Sequence, residues 1–141
     1  MTSAERRKLA GDLRSVVLRM SRRIRFSGEA ILPPHQATVL LKLDKEVLTP
    51  RQLAQIECVS APSMTRTVSA LVDQGLVRRE DDPDDGRQVR LHLTRDGRAR
   101  LADIRRSREE WMRSHMGGLS DEECAVLREA VDILERVVTA R

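Results

Sequence analysis

Residues 49–94 read TPRQLAQIECVSAPSMTRTVSALVDQGLVRREDDPDDGRQVRLHLT, and this stretch decides the fold. It opens on a helix start signal, because Thr49 can cap a helix and Pro50 suits the first helical position. Gln52 completes a Thr-x-x-Gln capping box. The apolar positions continue for only two turns before the chain reaches residues 57–59. The opening therefore predicts a short helix followed by a turn.

A second helix is predicted to follow at once. Ser60 can cap it, and Gly75 can end it, because glycine adopts the left-handed conformation of a helix end at little cost. Between them the apolar side chains recur at helical spacing. These side chains are Met64, Val68, Leu71 and Val72.

The connection between the two helices has an expected packing. If the helices cross at the small residue Ala54, the turn falls on Cys58. Val59 and Met64 are then expected to make buried contacts between the helices. Cys58 is expected to pack in the tight turn, with a thiol-based redox sensor as the alternative interpretation.

After Gly75 the apolar period changes from helical to alternating. Residues 76–80 and 89–93 alternate, and residues 81–86 between them are rich in turn formers. This pattern predicts a two-stranded antiparallel hairpin. An isolated hairpin is marginal in water, so this one must lean on the preceding helices.

Two short helices joined by a tight turn, with a hairpin directly after the second, are typical of a winged helix-turn-helix. In that unit the second helix enters the major groove of DNA. Its outward face is expected to meet DNA through small hydroxyl groups and one arginine, whose two-pronged geometry matches guanine. The predicted DNA-facing residues are Ser60, Pro62, Ser63, Thr65, Arg66 and Ser69.

The hairpin tip has its own candidates. The carboxylate of Asp85 is expected to accept a hydrogen bond from the guanidinium of Arg87 and to fix where that side chain points. A held arginine there can enter a minor groove. The alternative is a local ion pair that only stabilises the turn. Asp81, Asp82 and Asp84 would repel phosphate, so the tip is expected to approach DNA through Arg87.

Four further helices are predicted around this unit. They cover residues 4–26, 36–43, 94–116 and 120–139. The first and last carry apolar stripes longer than a small winged-helix core can cover, and unpaired they would expose a large apolar patch. We therefore expect a homodimer, whose two-fold symmetry places the recognition helices about 34 Å apart and requires an inverted-repeat site.

The fold class is thus mainly α with a small β-hairpin, a winged helix-turn-helix between dimerisation helices. The expected organisation is an N-terminal dimerisation helix over 1–32, a DNA-binding unit over 33–95 and C-terminal dimerisation helices over 96–141. These form one compact chain without an independent second domain.

Composition excludes several classes of protein. Hydrophobic residues make up 40% of the chain and aromatics 1%, so the core must be aliphatic, and the net charge is only +4. Residues 1–28 hold eight basic and two acidic side chains. This excess of positive charge can attract phosphate or anionic lipid, or the side chains can simply be solvated. No apolar run approaches the length of a membrane span and no secretory signal is present, so a cytoplasmic protein is expected.

No catalytic or metal-binding constellation is visible in the sequence. Cys58 and Cys124 are isolated, which argues against a disulfide framework or a zinc site. A nucleophile with its base, a carboxylate pair and a phosphate-binding glycine loop are all missing. We expect no enzyme activity, no metal and no cofactor.

A small-molecule cavity is expected where the dimer helices meet the winged unit, although plain core packing explains the same side chains. The candidate lining residues are Phe26, Ile31, Leu32, Trp111 and Met112.

Several segments resemble the MarR family of bacterial regulators. The resemblance is carried by Leu53-Ala54, by SAPSMTR at 60–66, LVDQGLV at 71–77, DPDDGR at 82–87 and LHLTRDG at 91–97. It implies a homodimer whose first and last helices interlock and which binds palindromic operators. It also implies repression that is relieved by a small phenolic or lipophilic molecule, or by oxidation.

The predicted function is accordingly a sequence-specific, DNA-binding transcription regulator, a repressor relieved by a small lipophilic or phenolic ligand. Two alternatives stay open, a winged-helix module that binds protein or RNA and a thiol-based redox-sensing regulator.

Overall fold

The computed structural model describes residues 1–27 and 32–140. Its elements confirm the predicted fold class, six helices around one hairpin. They are α1 (Ser3–Arg25), α2 (Pro34–Leu43), α3 (Pro50–Ile56), α4 (Ala61–Asp73), β1 (Val77–Asp81), β2 (Val89–Leu93), α5 (Arg95–Met116) and α6 (Asp121–Thr139).

The helix starts follow from local capping chemistry. The amide of Gln52 donates to Thr49 Oγ1 at 3.1 Å, and the amide of Thr49 donates back to Gln52 Oε1 at 2.8 Å. Ser120 and Glu123 form the same reciprocal pair at the start of α6. Both predicted capping boxes are confirmed, so each of these helices begins where its own sequence satisfies the free amide groups.

The core lies between α2, α3, α4, the hairpin and the first half of α5. It is aliphatic, as the near absence of aromatics requires, and leucines are its most deeply buried members. Leu40, Leu53, Leu71, Leu91 and Leu101 are all at most 1% exposed.

The hairpin is antiparallel with Val77 opposite Leu93 and Asp81 opposite Val89. A pairing that the sequence analysis missed anchors it, because Leu48 forms an isolated bridge with Leu91 and accepts a hydrogen bond from its amide at 2.9 Å. This hairpin, residues 77–93, is the wing of the fold, and it is attached to the α2–α3 connection as well as to α4.

The turn between α3 and α4 departs from expectation. Cys58 has a left-handed φ of 53°, and the amide of Val59 donates to Ala54 O at 3.0 Å. This backbone reversal turns both side chains outward, so Cys58 is exposed and Val59 is 43% exposed. The expected packing of these two residues is therefore wrong, whereas Met64, 3% exposed, makes the predicted buried contact.

Thr94 joins three elements at the start of α5. Its amide donates to Leu76 O at 3.1 Å, and its hydroxyl donates to Gly75 O at 2.6 Å. The same hydroxyl accepts from the amide of Gly97 at 3.0 Å. One side chain thus ties the end of α4, the base of the hairpin and the first turn of α5 together.

Neither α1 nor α6 contains a buried residue. Most residues of their predicted apolar stripes are exposed to solvent in the single chain. Exposed members on α1 are Leu9, Leu13, Val16, Val17 and Met20, and on α6 they are Val126, Leu127, Val131, Val137 and Val138. Within 1–27 and 32–140, no helix has both the length and the apolar character to cross a membrane.

Candidate nucleic-acid interface

The outward face of α4 is polar and accessible. Ser60, Pro62, Thr65 and Arg66 are exposed, and Ser63 is half-buried. The opposite face, which carries Met64, Val68 and Leu71, is buried in the core. The helix therefore presents most of the predicted DNA-facing side chains together on one surface.

Two of the hydroxyls on this face are already used within α4. Ser60 Oγ accepts from the amide of Ser63 at 3.3 Å, as a helix cap does. Thr65 Oγ1 donates to Ala61 O at 2.9 Å. Thr65 can then offer DNA its methyl group and an oxygen lone pair, but not its hydroxyl proton.

Arg66 has no carboxylate within 4.0 Å anywhere in the part of the chain that is described. Its guanidinium is exposed on the face of α4 that points away from the core. All of its donors therefore remain available to an acceptor outside the protein.

Ser69 occupies a different position from the rest of this group. Its hydroxyl accepts a hydrogen bond from Arg79 Nη2 on β1 at 3.0 Å. Ser69 therefore links α4, the recognition helix, to the wing. The sequence analysis did not identify Arg79 as a functional residue. Strand register could have found it, because Arg79 pairs with the buried Leu91 and residues directly opposite share a face of the hairpin.

The wing tip is held through its backbone. The amide of Arg87 donates to Asp85 Oδ1 at 3.1 Å, and the amide of Gln88 donates to Asp85 O at 2.9 Å. The expected pairing between the Asp85 carboxylate and the Arg87 guanidinium is therefore wrong, and the carboxylate bonds to the Arg87 amide instead. The Arg87 side chain is exposed, with no carboxylate within 4.0 Å among the described residues.

The acids of the wing are partly matched by strand arginines. Asp82 accepts from the amide of Asp84 and from Arg90 Nε, both at 2.9 Å, and these bonds hold the pKa of its carboxyl below the ordinary value. Arg78, 2.7 Å from Glu80, likewise lowers the pKa of that carboxyl. The repulsion of phosphate expected from Asp82 is therefore reduced by Arg90.

Four of the five candidate cavity residues lie within the described part of the chain. Phe26 ends α1 and is 65% exposed, whereas Leu32 is buried in the core. Trp111 and Met112 are half-buried on α5. Ile31 lies outside the described residues.

Two arginines stand at the same junction. Ser107 Oγ on α5 donates to Ser27 O at the end of α1 at 3.4 Å. Next to it Arg108 is half-buried, and burial together with the charge of Arg25 lowers the pKa of its guanidinium. Among the described residues no carboxylate lies within 4.0 Å of Arg108, and Arg25 and Arg108 bring two positive charges to this junction.

The two cysteines differ in their surroundings. Cys58 is exposed, with its Sγ 3.7 Å from Gln55 O, and Cys124 is half-buried on α6. No cluster of three or more histidine, cysteine or acidic side chains within residues 1–27 and 32–140 could hold a metal ion.

The sequence is similar to those of known transcription regulators. A model of the MarR family matches residues 32–88. An uncharacterized HTH-type transcriptional regulator of Mycobacterium leprae is 35% identical over 133 residues, covering 93% of each chain. A second such regulator, from Mycobacterium bovis, is 37% identical with the same coverage.

Solved structures agree with the sequence comparison. A candidate transcriptional regulator of Pseudomonas aeruginosa superposes with a TM-score of 0.85 at 28% identity, covering 99% of this chain and 100% of that one. The apo form of wild-type MarR from E. coli superposes with a TM-score of 0.73 at 22% identity, covering 89% and 95%. The second likeness concerns the fold alone.

Proposed function

This chain belongs to the MarR family, a family of transcription regulators and not of enzymes, and from that premise we propose that it is a homodimeric repressor of duplex DNA operators. The observation that carries the proposal is the pair of exposed arginines without carboxylate partners in the described chain. Arg66 stands on the recognition helix and Arg87 on the wing tip. Arginine donors left free within a fold match the acceptors of base edges and phosphates.

The two arginines take different parts in recognition. Arg66 reads a guanine in the major groove, while Ser60, Pro62, Ser63 and Thr65 are small enough to bring α4 close to the bases. Ser69 keeps α4 aligned with the wing.

Arg87 enters the adjacent minor groove, where narrow stretches concentrate negative potential. Asp85 shapes the tip by holding the Arg87 amide and does not itself contact DNA, since its charge would repel phosphate.

Dimerisation uses the helices that the single chain leaves uncovered. Segments 1–32 and 96–141 pair with their counterparts, and 33–95 binds DNA. The support is the exposure of most apolar residues on α1 and α6, neither of which contains a buried residue, because a partner of matching apolar character would cover them. A two-fold dimer predicts a palindromic operator.

Release by a small lipophilic or phenolic ligand fits the junction between α1 and α5. Phe26, Trp111 and Met112 supply apolar surface there. The positive charge of Arg25 and Arg108 favours ligands that carry a phenolate or carboxylate.

Exposure of Cys58 in the turn that precedes α4 favours a second candidate, release by oxidation. Treating the wild type and Cys58→Ser with hydrogen peroxide separates the two. Loss of DNA binding in the wild type alone would support oxidation.

Selection of bound sequences from random duplex, followed by a salt series, tests the proposal. We expect an inverted repeat and an affinity that falls steeply with the logarithm of salt concentration. Arg66→Ala should cost about 1–3 kcal/mol and relax one base preference, whereas Arg87→Ala should weaken binding with less change in preference.

Arg106→Ala, which removes an exposed arginine of α5, is the matched control and should bind as the wild type does. Unchanged operator affinity in both Arg66→Ala and Arg87→Ala would refute their assigned roles. Affinity that is flat in salt, or absent for duplex, would favour a protein- or RNA-binding module instead.

A further inference from the structure

A cleft of about 390 Å³ runs along one side of α4, between that helix, the first turn of α2 and the α3–α4 turn. His35 lines it from α2, Glu57 from the end of α3, and Arg66 from α4. His35 is exposed there, and no carboxylate lies within 4.0 Å of it among the residues described. The cleft therefore brings a titratable side chain next to the proposed base-reading arginine.

The residues on either side of His35 in the sequence hold its backbone in place beside α4. Gln36 is 8% exposed, and its Oε1 accepts from Gln74 Nε2 at the end of α4 at 3.1 Å. Pro33 and Pro34 restrict the backbone on the other side of His35. The imidazole thus extends from a braced helix start and not from a free loop.

The dimensions of DNA determine what His35 meets. The major groove is about 12 Å wide, and a helix with its side chains is about 10–12 Å across. When α4 fills the groove, groups alongside it meet the phosphates at the rim. The start of α2 adds a partial positive charge that favours an anion.

We propose that protonated His35 contacts an operator phosphate on each protomer, so that DNA affinity rises as the pH falls from 8 to 6. The proposal rests on the DNA-binding function. Histidine is the side chain that ordinarily changes charge in this range. Glu57 and Arg66 are the other charged side chains that face the cleft, and neither a carboxylate nor a guanidinium ordinarily changes charge between pH 6 and 8.

Operator affinity measured at pH 6, 7 and 8, each over a salt series, tests this. Wild type should bind roughly tenfold tighter at pH 6 than at pH 8, or about 1.4 kcal/mol per dimer. His35→Gln should remove that dependence. At pH 6 the log–log salt slope of His35→Gln should be shallower than the wild-type slope by about 2, the effect of two lost phosphate contacts.

Three further variants make the result specific. His35→Lys, which carries its charge at every pH used, should restore tight binding at pH 8 and flatten the pH profile. His92→Gln and His115→Gln remove the remaining histidines and should keep the wild-type profile. Thermal melting confirms that each variant is folded.

A wild type that binds operator equally well at pH 6 and 8 would overturn the role of His35, as would a pH dependence that survives in His35→Gln or disappears in either control. These outcomes leave salt-dependent operator binding intact. Absence of operator binding at every pH would overturn the DNA-binding function itself, and the role of His35 with it.

Discussion

Gly97 lies where the start of α5 passes closest to the chain that leaves α4. A Cβ built on this residue would stand 2.1 Å from Leu76 O, far inside van der Waals contact. Leu76 O cannot retreat easily, because it accepts the amide of Thr94 at 3.1 Å. The close approach of two backbone segments therefore requires glycine at this position.

Gly97→Ala should destabilise the fold by about 1–3 kcal/mol, the usual cost of forcing an added methyl group into a packed site. Gly11→Ala is the matched control, because Gly11 lies within α1 with open space around its Cβ position. That variant should gain about 0.5–1 kcal/mol of helix propensity. Urea denaturation at one fixed protein concentration measures both, and equal effects would contradict the packing argument.

At the scale of single residues, the sequence predicted which side chains are exposed better than it predicted their hydrogen-bond partners. Exposure of Arg66 and Arg87 follows from helical period and turn chemistry, which are local. The partner of Asp85 does not, because its carboxylate can accept from either the amide or the guanidinium of Arg87 and the sequence does not distinguish the two. Val59 was misplaced because one left-handed residue, Cys58, reverses the direction of the chain.

The hairpin and α4 are separate elements that one polar contact aligns. Arg79 Nη2 and Ser69 Oγ are 3.0 Å apart, on the side of β1 that faces the recognition helix. On the other side of the same strand Arg78 pairs with Glu80 at 2.7 Å. The two adjacent arginines thus carry equal charge but only Arg79 contacts α4.

Removing this contact should reduce operator affinity by loosening the wing. We expect Arg79→Ala and Ser69→Ala each to weaken binding, and the double variant to show a coupling energy of about 0.5–1.5 kcal/mol in a double-mutant cycle. Arg78→Ala is the matched control for lost charge and should show no coupling with Ser69→Ala. Additive losses would indicate that Ser69 contacts DNA directly.

The elements themselves were predictable because their signals are local. The capping boxes at Thr49 and Ser120, the glycine that ends α4 and the turn formers of the wing all lie within a few residues of the boundary they set. The bridge between Leu48 and Leu91 was not predictable, because one paired residue has no period and its partner lies far along the chain.

For the whole molecule, the uncovered faces of α1 and α6 define how copies of the chain associate. Neither helix contains a buried residue within the single chain, although their apolar side chains repeat at helical spacing. An exposed surface of this kind is unfavourable in water until another apolar surface covers it.

Sedimentation equilibrium at micromolar concentration should therefore show a dimer. Leu127→Glu, which places a charge on the apolar face of α6, should give monomers that keep their helical circular dichroism but lose most operator affinity. Ala125→Glu, two residues away on the polar face, should remain dimeric. A monomeric wild type, or a dimer unaffected by Leu127→Glu, would contradict this arrangement.

The hydrogen bonds of Thr94 fix the start of α5, which would act as the pivot if this long helix tilted. The helix has 22 residues, so Trp111 stands about 25 Å from its pivot at Thr94 at 1.5 Å per residue. A sideways push of about 2 Å near Trp111 corresponds to a tilt of only about 5° at the pivot. Because the Thr94 hydroxyl bonds to Gly75 on one side and Gly97 on the other, a tilt of this size would also shift the hydrogen bonds that join α5 to the end of the recognition helix.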